Sequence, residues 1–200
     1  MGIFSYLFDI VFKSKEEREV EKIFEKVAHF WESDEEQNKL CSPMLIPKMK
    51  STVNQIPNAI GEFGRDIRNP IPCNGPLGEI AYLSNLLIAE TEEKIFFHRL
   101  GSSNSIDIYE IISHDGKFYD ILYLDMYYQG KSNKIPKGYK YQTSFHMIRG
   151  TNHKCDKFPD QLYSQMLAQA KNSIYFMPID RDIKNIDLDA AHETIGRYHQ

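Results

Sequence analysis

Long apolar runs are missing from this chain. No stretch reaches the roughly 18 consecutive apolar residues of a membrane-spanning helix, so no such helix is expected. Cysteine is scarce: Cys41, Cys73 and Cys155 are widely spaced and odd in number. They do not form a disulfide framework, and a reducing compartment follows. No Asn-x-Ser/Thr acceptor occurs, which agrees with that reading. Basic charge is not in excess either, with 24 Lys and Arg against 28 Asp and Glu and a net charge of −4. Nucleic-acid binding needs a dominant basic field, so it is not expected here.

Signature motifs are absent as well. Neither G-x-x-x-x-G-K-[ST] nor G-x-G-x-x-G is present, so no phosphate cradle and no cofactor is expected. Gly101-Ser102-Ser103 lacks the G-x-S-x-G frame of a nucleophile elbow. His192-Glu193-Thr194-Ile195-Gly196 begins like the zinc helix H-E-x-x-H, but Gly196 stands in place of the second histidine. His199 returns to that helical face seven residues after His192. His146, His153 and Cys155 offer soft ligands without a zinc spacing. No metal site is therefore expected. Cys73 is read as a packed residue, since a lone thiol needs a base beside it to act as a nucleophile.

Apolar material is ample. The chain is 42% hydrophobic, and Phe and Tyr occur twelve times each. Val20, Ile23, Phe24, Val27 and Trp31 recur at helical spacing within a Lys/Glu-rich segment, which predicts an amphipathic helix over 14–31. Ser14 and Glu17 would form its capping box. Ser33-Asp34-Glu35-Glu36 predicts the start of another short helix. Residues 3–12 are apolar without the flanks of a signal peptide. They are expected to dock on the core, with a membrane surface or a partner as the alternative.

The segment Asn69 to Gly78 concentrates proline and glycine. It reads as a rigid surface connection or a binding loop presenting Asn74 and Gly75. Glu79 to Ala89 reads as a strand. Residues 94–126 alternate β-branched and aromatic runs with turn chemistry, which predicts an antiparallel meander. Tyr141–Ile148 and Ser173–Met177 are further strand candidates. Helices are predicted over 159–171 and 187–198. The class is then α+β: a mainly antiparallel meander sheet flanked by N-terminal and C-terminal helices. One domain of residues 1–200 is expected, with 1–40 a helical appendage packed on it.

Asp115-Gly116 predicts a type I′ hairpin. That register puts Glu110 opposite Ile121 and Ile106 opposite Asp125. Glu110 and Asp125 then share a face but stand roughly 13 Å apart at ~3.3 Å per residue. A glycosidase-type carboxylate pair needs about 5–9.5 Å, so none is available within this hairpin. With the preceding loop centred on Ser103, His98 falls opposite Ile108 and diagonal to Glu110. His98, Glu110 and Asp125 form the candidate catalytic set, with His98 as general base of a small hydrolase or nuclease-like enzyme.

Lys131, Lys134, Lys137 and Lys140, with Tyr139 and Tyr141, form a basic-aromatic segment suited to phosphates or to an acidic partner protein. Acidic balance, tyrosine content and absent catalytic motifs favour a different class. The expectation is a non-enzymatic protein-binding module of the bacterial cytoplasm, immunity-type or adaptor-like. The hydrolase is its alternative, and oligomeric state is left open.

Overall fold

The structure, a computed structural model, describes residues 15–142 and 147–199. Ser14, residues 3–12 and His146 lie outside them, so the expectations placed there fall outside the described residues. Helix α1 (Lys15–Glu32) follows the predicted apolar spacing, and the short α2 (Asp34–Asn38) begins one residue after Ser33. The Ser33 side chain accepts the Glu36 N–H, satisfying one orphan donor of that first turn.

Strand β1 (Ile71–Pro72) is followed by helix α3 (Gly75–Ser84) and strand β2 (Leu86–Ile88). The expected strand over 79–89 is therefore mostly helix. Pro76 sits in the first turn, where its fixed φ favours a helix. All but one of the α3 residues are buried, so the segment lacks the amphipathic period that identifies a helix in sequence. Three long strands come next: β3 (Ile95–Ser103), β4 (Ile106–Ser113) and β5 (Tyr119–Asp125). The shorter β6 (Tyr139–Tyr141) and β7 (Gly150–Thr151) complete the strands. Helices α4 (Leu162–Lys171) and α5 (Leu188–Tyr198) lie where they were predicted. Residues 173–177 are irregular rather than a strand.

The class is α+β, but the sheet is mixed. Its order is β1-β5-β4-β3-β7. The β3–β4–β5 centre is antiparallel, while β1 and β7 add parallel pairs at the two edges. The sheet is mostly antiparallel, as expected, but it is not a simple meander, because a parallel strand joins it at each edge. Each parallel edge pairs only two residues, too few for a period-2 pattern to reveal. Strands β2 and β6 form a separate antiparallel pair.

The two sheet faces differ. Phe97, Tyr109, Ile111, Leu122 and Leu124 are fully buried on the face toward α3. On the other face Glu110 and Ile112 are buried, but Ile108, Tyr119, Ile121 and Tyr123 are only half-buried. Helix α5 covers part of this second face, where Tyr198 stacks on Tyr119 with ring centroids 4.6 Å apart. The bend after β4 braces that helix. Gly116 has φ +70°, and a Cβ there would stand 2.6 Å from the Asp187 carbonyl. Asp187 caps α5 by accepting the Ala190 N–H. Trp31 carries the end of α1 into the core and donates its indole N–H to the Phe176 carbonyl at 3.0 Å.

Candidate functional site

The β4–β5 register is the predicted one: Glu110 pairs with Ile121 and Asp107 with Leu124. The turn chemistry that sets it is different. Only Gly116 of the Asp115-Gly116 pair has positive φ, so the bend is not type I′. That conformation occurs in the preceding hairpin, at Asn104 (φ 50°) and Ser105 (φ 69°) between paired Ser103 and Ile106. The ladder then slips at Leu100, between Arg99↔Tyr109 and Gly101↔Ile108. The turn lies between Asn104 and Ser105 rather than at Ser103, which alone would pair His98 with Ile111; the one-residue bulge then sets Glu110 opposite His98 instead of the expected Ile108.

The two side chains meet. His98 Nε2 lies 2.6 Å from Glu110 Oε2, and both residues are buried. The Cys155 backbone N–H donates to His98 Nδ1 at 2.9 Å. Because Nδ1 accepts, the ring proton resides on Nε2 and is donated to Glu110. Phe158 stacks on the imidazole at 4.3 Å between centroids. Glu110 Oε1 accepts the Tyr119 hydroxyl at 2.9 Å and His199 Nε2 at 3.0 Å. Burial raises the Glu110 carboxyl, but donors from His98, His199 and Tyr119 together reverse that and hold it below the usual carboxylate range. Burial and then the neighbouring Glu110 charge push the Tyr119 phenol up.

This geometry limits the chemistry. His98 is 1% exposed and has both ring nitrogens committed. Taking a proton from a substrate would require breaking the Cys155 bond first. The cluster ties β3, β4 and β5 to the end of α5, and so works as a clamp. Asp125 is not part of it. It sits at the far end of β5, where Lys50 Nζ lies 3.4 Å away and the Tyr127 N–H bonds it at 3.1 Å. Tyr119 was readable beforehand, as a diagonal neighbour of Glu110 in the predicted register. His199 was not, because only tertiary folding returns the chain end to this face.

A second buried carboxyl lies on the opposite face. Glu79 of α3 is fully buried and accepts the Tyr109 hydroxyl at 2.9 Å. Asp107 is near it, facing Arg99 at 3.2 Å and receiving the Ser102 hydroxyl. Sequence reasoning missed this pairing because one partner lies on a segment taken for a strand.

The expected binding residues are dispersed. Residues 69–75 are all buried, so the Pro/Gly segment is interior rather than a surface connection. The Asn74 amide donates to the Asp34 carbonyl and to Gln37 and Asn38 side chains. Gly75 is buried, with φ +68° and a hypothetical Cβ only 2.8 Å from Cys41 Sγ. Lys131 pairs with Asp34. Tyr139 is buried, and its hydroxyl donates to Asp120 at 2.8 Å. Lys134 sits over the Phe63 ring at 4.8 Å, and Lys137 is exposed. Gly196 leaves the 192–196 helix segment without a second histidine, and His192 instead meets Asp160 at 3.0 Å. Among the described residues, no group of three His, Cys, Asp or Glu side chains is arranged to hold a metal ion.

The outer surface provides the remaining candidate. Ile174 and Phe176 are 86% and 66% exposed. Two grooves meet at Tyr175 beside them. One, of about 780 Å³, runs between residues 152–154 and α4; the other, of about 450 Å³, is lined by Leu167, Ile174 and Phe176. Tyr175 stacks on Phe30 at 5.6 Å. From there the apolar stripe of α1 continues outward to Phe24, Ile23 and Val20, exposed by 49%, 59% and 66%. None of the described helices is long and apolar enough to cross a membrane. Comparison with protein-family models, curated proteins and solved structures finds no match.

Proposed function

We propose that this chain is a non-enzymatic protein-binding module, immunity-type or adaptor-like, that docks an amphipathic helix of a partner protein. The docking face is the outer stripe of α1 together with Ile174 and Phe176. The observation that carries this reading is the set of five large apolar side chains, four of them more than half exposed and Phe24 49% exposed, beside the two grooves at Tyr175. Solvated apolar side chains grouped in this way mark interaction sites. Val20, Ile23, Phe24 and Val27 fall at the spacing by which one helix receives another. The stripe is bordered by both Glu and Lys, so a partner helix with mixed charge beside its apolar seam fits best. The closure of His98 counts against the hydrolase alternative.

The test is a complex rebuilt from purified components. A protein retained from native lysate is purified and recombined with the wild type and with Phe24→Asp, Phe176→Asp and Lys137→Ala variants. The first two variants should each weaken the complex at least about tenfold, about 1.4 kcal/mol, with thermal stability unchanged. Lys137→Ala should leave it intact. Equal binding by all of them, or loss only with Lys137→Ala, removes this docking face. A hydrolytic turnover abolished by Glu110→Gln would overturn the non-enzymatic reading.

A further inference from the structure

We propose that Glu79 and Asp107 hold one proton between them at neutral pH, and that this shared proton fastens helix α3 to the sheet. The inference is independent of the docking face. It rests on two buried carboxyls and a single cation.

Glu79 is 0% exposed and Asp107 is 2% exposed. Glu79 Oε2 accepts a hydrogen bond from the Tyr109 hydroxyl, while Oε1 has no hydrogen-bond partner among the described residues. Asp107 lies two residues from Tyr109 on the same strand face, so it approaches Glu79 from β4. Arg99, on β3, reaches both Asp107 oxygens at 3.2 Å, and Ser102 donates a hydroxyl to one of them. The Cys73 thiol before α3 is a further ionisable neighbour, itself pushed up by burial and then by the Glu79 carboxyl. Two ionised carboxylates here would leave one buried negative charge uncompensated, which is costlier than holding a proton.

The proton resides on Glu79. Arg99 and Ser102 both serve Asp107, and only a neutral hydroxyl serves Glu79. Burial first, and the Asp107 charge second, raise the Glu79 carboxyl well above its usual range. Protonated, Glu79 can donate from the oxygen that otherwise lacks a partner, toward Asp107. The bond then runs from a helix to a strand across the buried face.

A linkage consequence follows. Above the ordinary glutamate range the unfolded chain has lost this proton and the folded chain has kept it. The resulting stabilisation is fully present below the unfolded value and declines as pH rises through the folded one. Across that interval the unfolding equilibrium constant gains about tenfold per pH unit from this group alone.

Calorimetric unfolding of the full chain at neutral pH, in buffers of different ionisation enthalpy, counts the protons released. The wild type should release about one more than Glu79→Gln, whose amide can still donate to Asp107 and keep the fold. The wild type should also show the infrared carbonyl stretch of a buried carboxylic acid, absent from the Glu79→Gln spectrum. Should Glu79→Gln fail to fold, infrared of the wild type with carbon-13-labelled glutamate carboxyls decides instead, since only a protonated glutamate would shift the carboxylic-acid band. Equal proton release by wild type and a folded variant, with no carboxylic-acid band, overturns the proposal.

Discussion

Glu110 and Glu79 are both buried glutamates on this fold, and their surroundings drive them in opposite directions. Glu110 receives His98 on one oxygen and Tyr119 with His199 on the other. Three donors outweigh burial, and the carboxyl is held low. Glu79 receives one neutral hydroxyl and faces a second carboxyl, so burial prevails and it is held high. Burial depth alone does not decide the charge of a carboxyl; the count of donors against competing charges does. The same comparison explains why the first cluster is a clamp. Its carboxylate is buried and already holds three donors, which leaves little of it open to a substrate.

The largest effect should come from deleting the clamp. Glu110→Ala strands His98, Tyr119 and His199 without their acceptor, and breaking a buried pair this way costs about 3–5 kcal/mol. For a chain of this size that is roughly a 10 °C drop in Tm, measurable by thermal denaturation. A loss below about 1 kcal/mol would mean that the three donors find other partners.

A pair of amide variants separates the two glutamates by pH. The Glu110 carboxyl is depressed, so its stabilisation is present above the ordinary glutamate value and lost as pH falls through the folded one. Glu110→Gln should therefore be weaker at neutral pH by about 1–3 kcal/mol and less sensitive to acid. Glu79→Gln should be near neutral at pH 7 and less sensitive to alkali. Denaturant midpoints measured across pH for the three proteins test this; parallel profiles would erase the distinction.

The smallest effect concerns the hairpin that brings His98 to Glu110. Ser105 occupies positive φ, where glycine carries no steric penalty. Ser105→Gly should stabilise by about 0.5–1 kcal/mol without moving the register. Destabilisation would show that Asn104-Ser105 does not form this turn.

These residues also show how far the sequence could be read. The β4–β5 register was legible because Asp115-Gly116 marks the centre of the bend, and the pairing follows from that centre whatever the turn type. The turn type itself was misread, since Asp115-Gly116 and Asn104-Ser105 both carry turn chemistry and only backbone dihedrals distinguish them. The bulge at Leu100 left no pattern in the residues, yet it decides that His98 meets Glu110 directly. Helix α3 was hidden by being apolar almost all round. With it went the Glu79–Asp107 pairing, which depends on a helix crossing a sheet face. Asn74 and Gly75 looked like loop residues because proline and glycine signal turns, whether the turn lies outside or, as here, inside.

Carbon-13 NMR of glutamate side-chain carboxyls, assigned with the Glu79→Gln and Glu110→Gln variants, reads both charges in one titration of the folded protein. At pH 7 the Glu79 resonance should stand at the position of a carboxylic acid and that of Glu110 at the position of a carboxylate. Both resonances at the ionised position, or the two exchanged, would contradict the account.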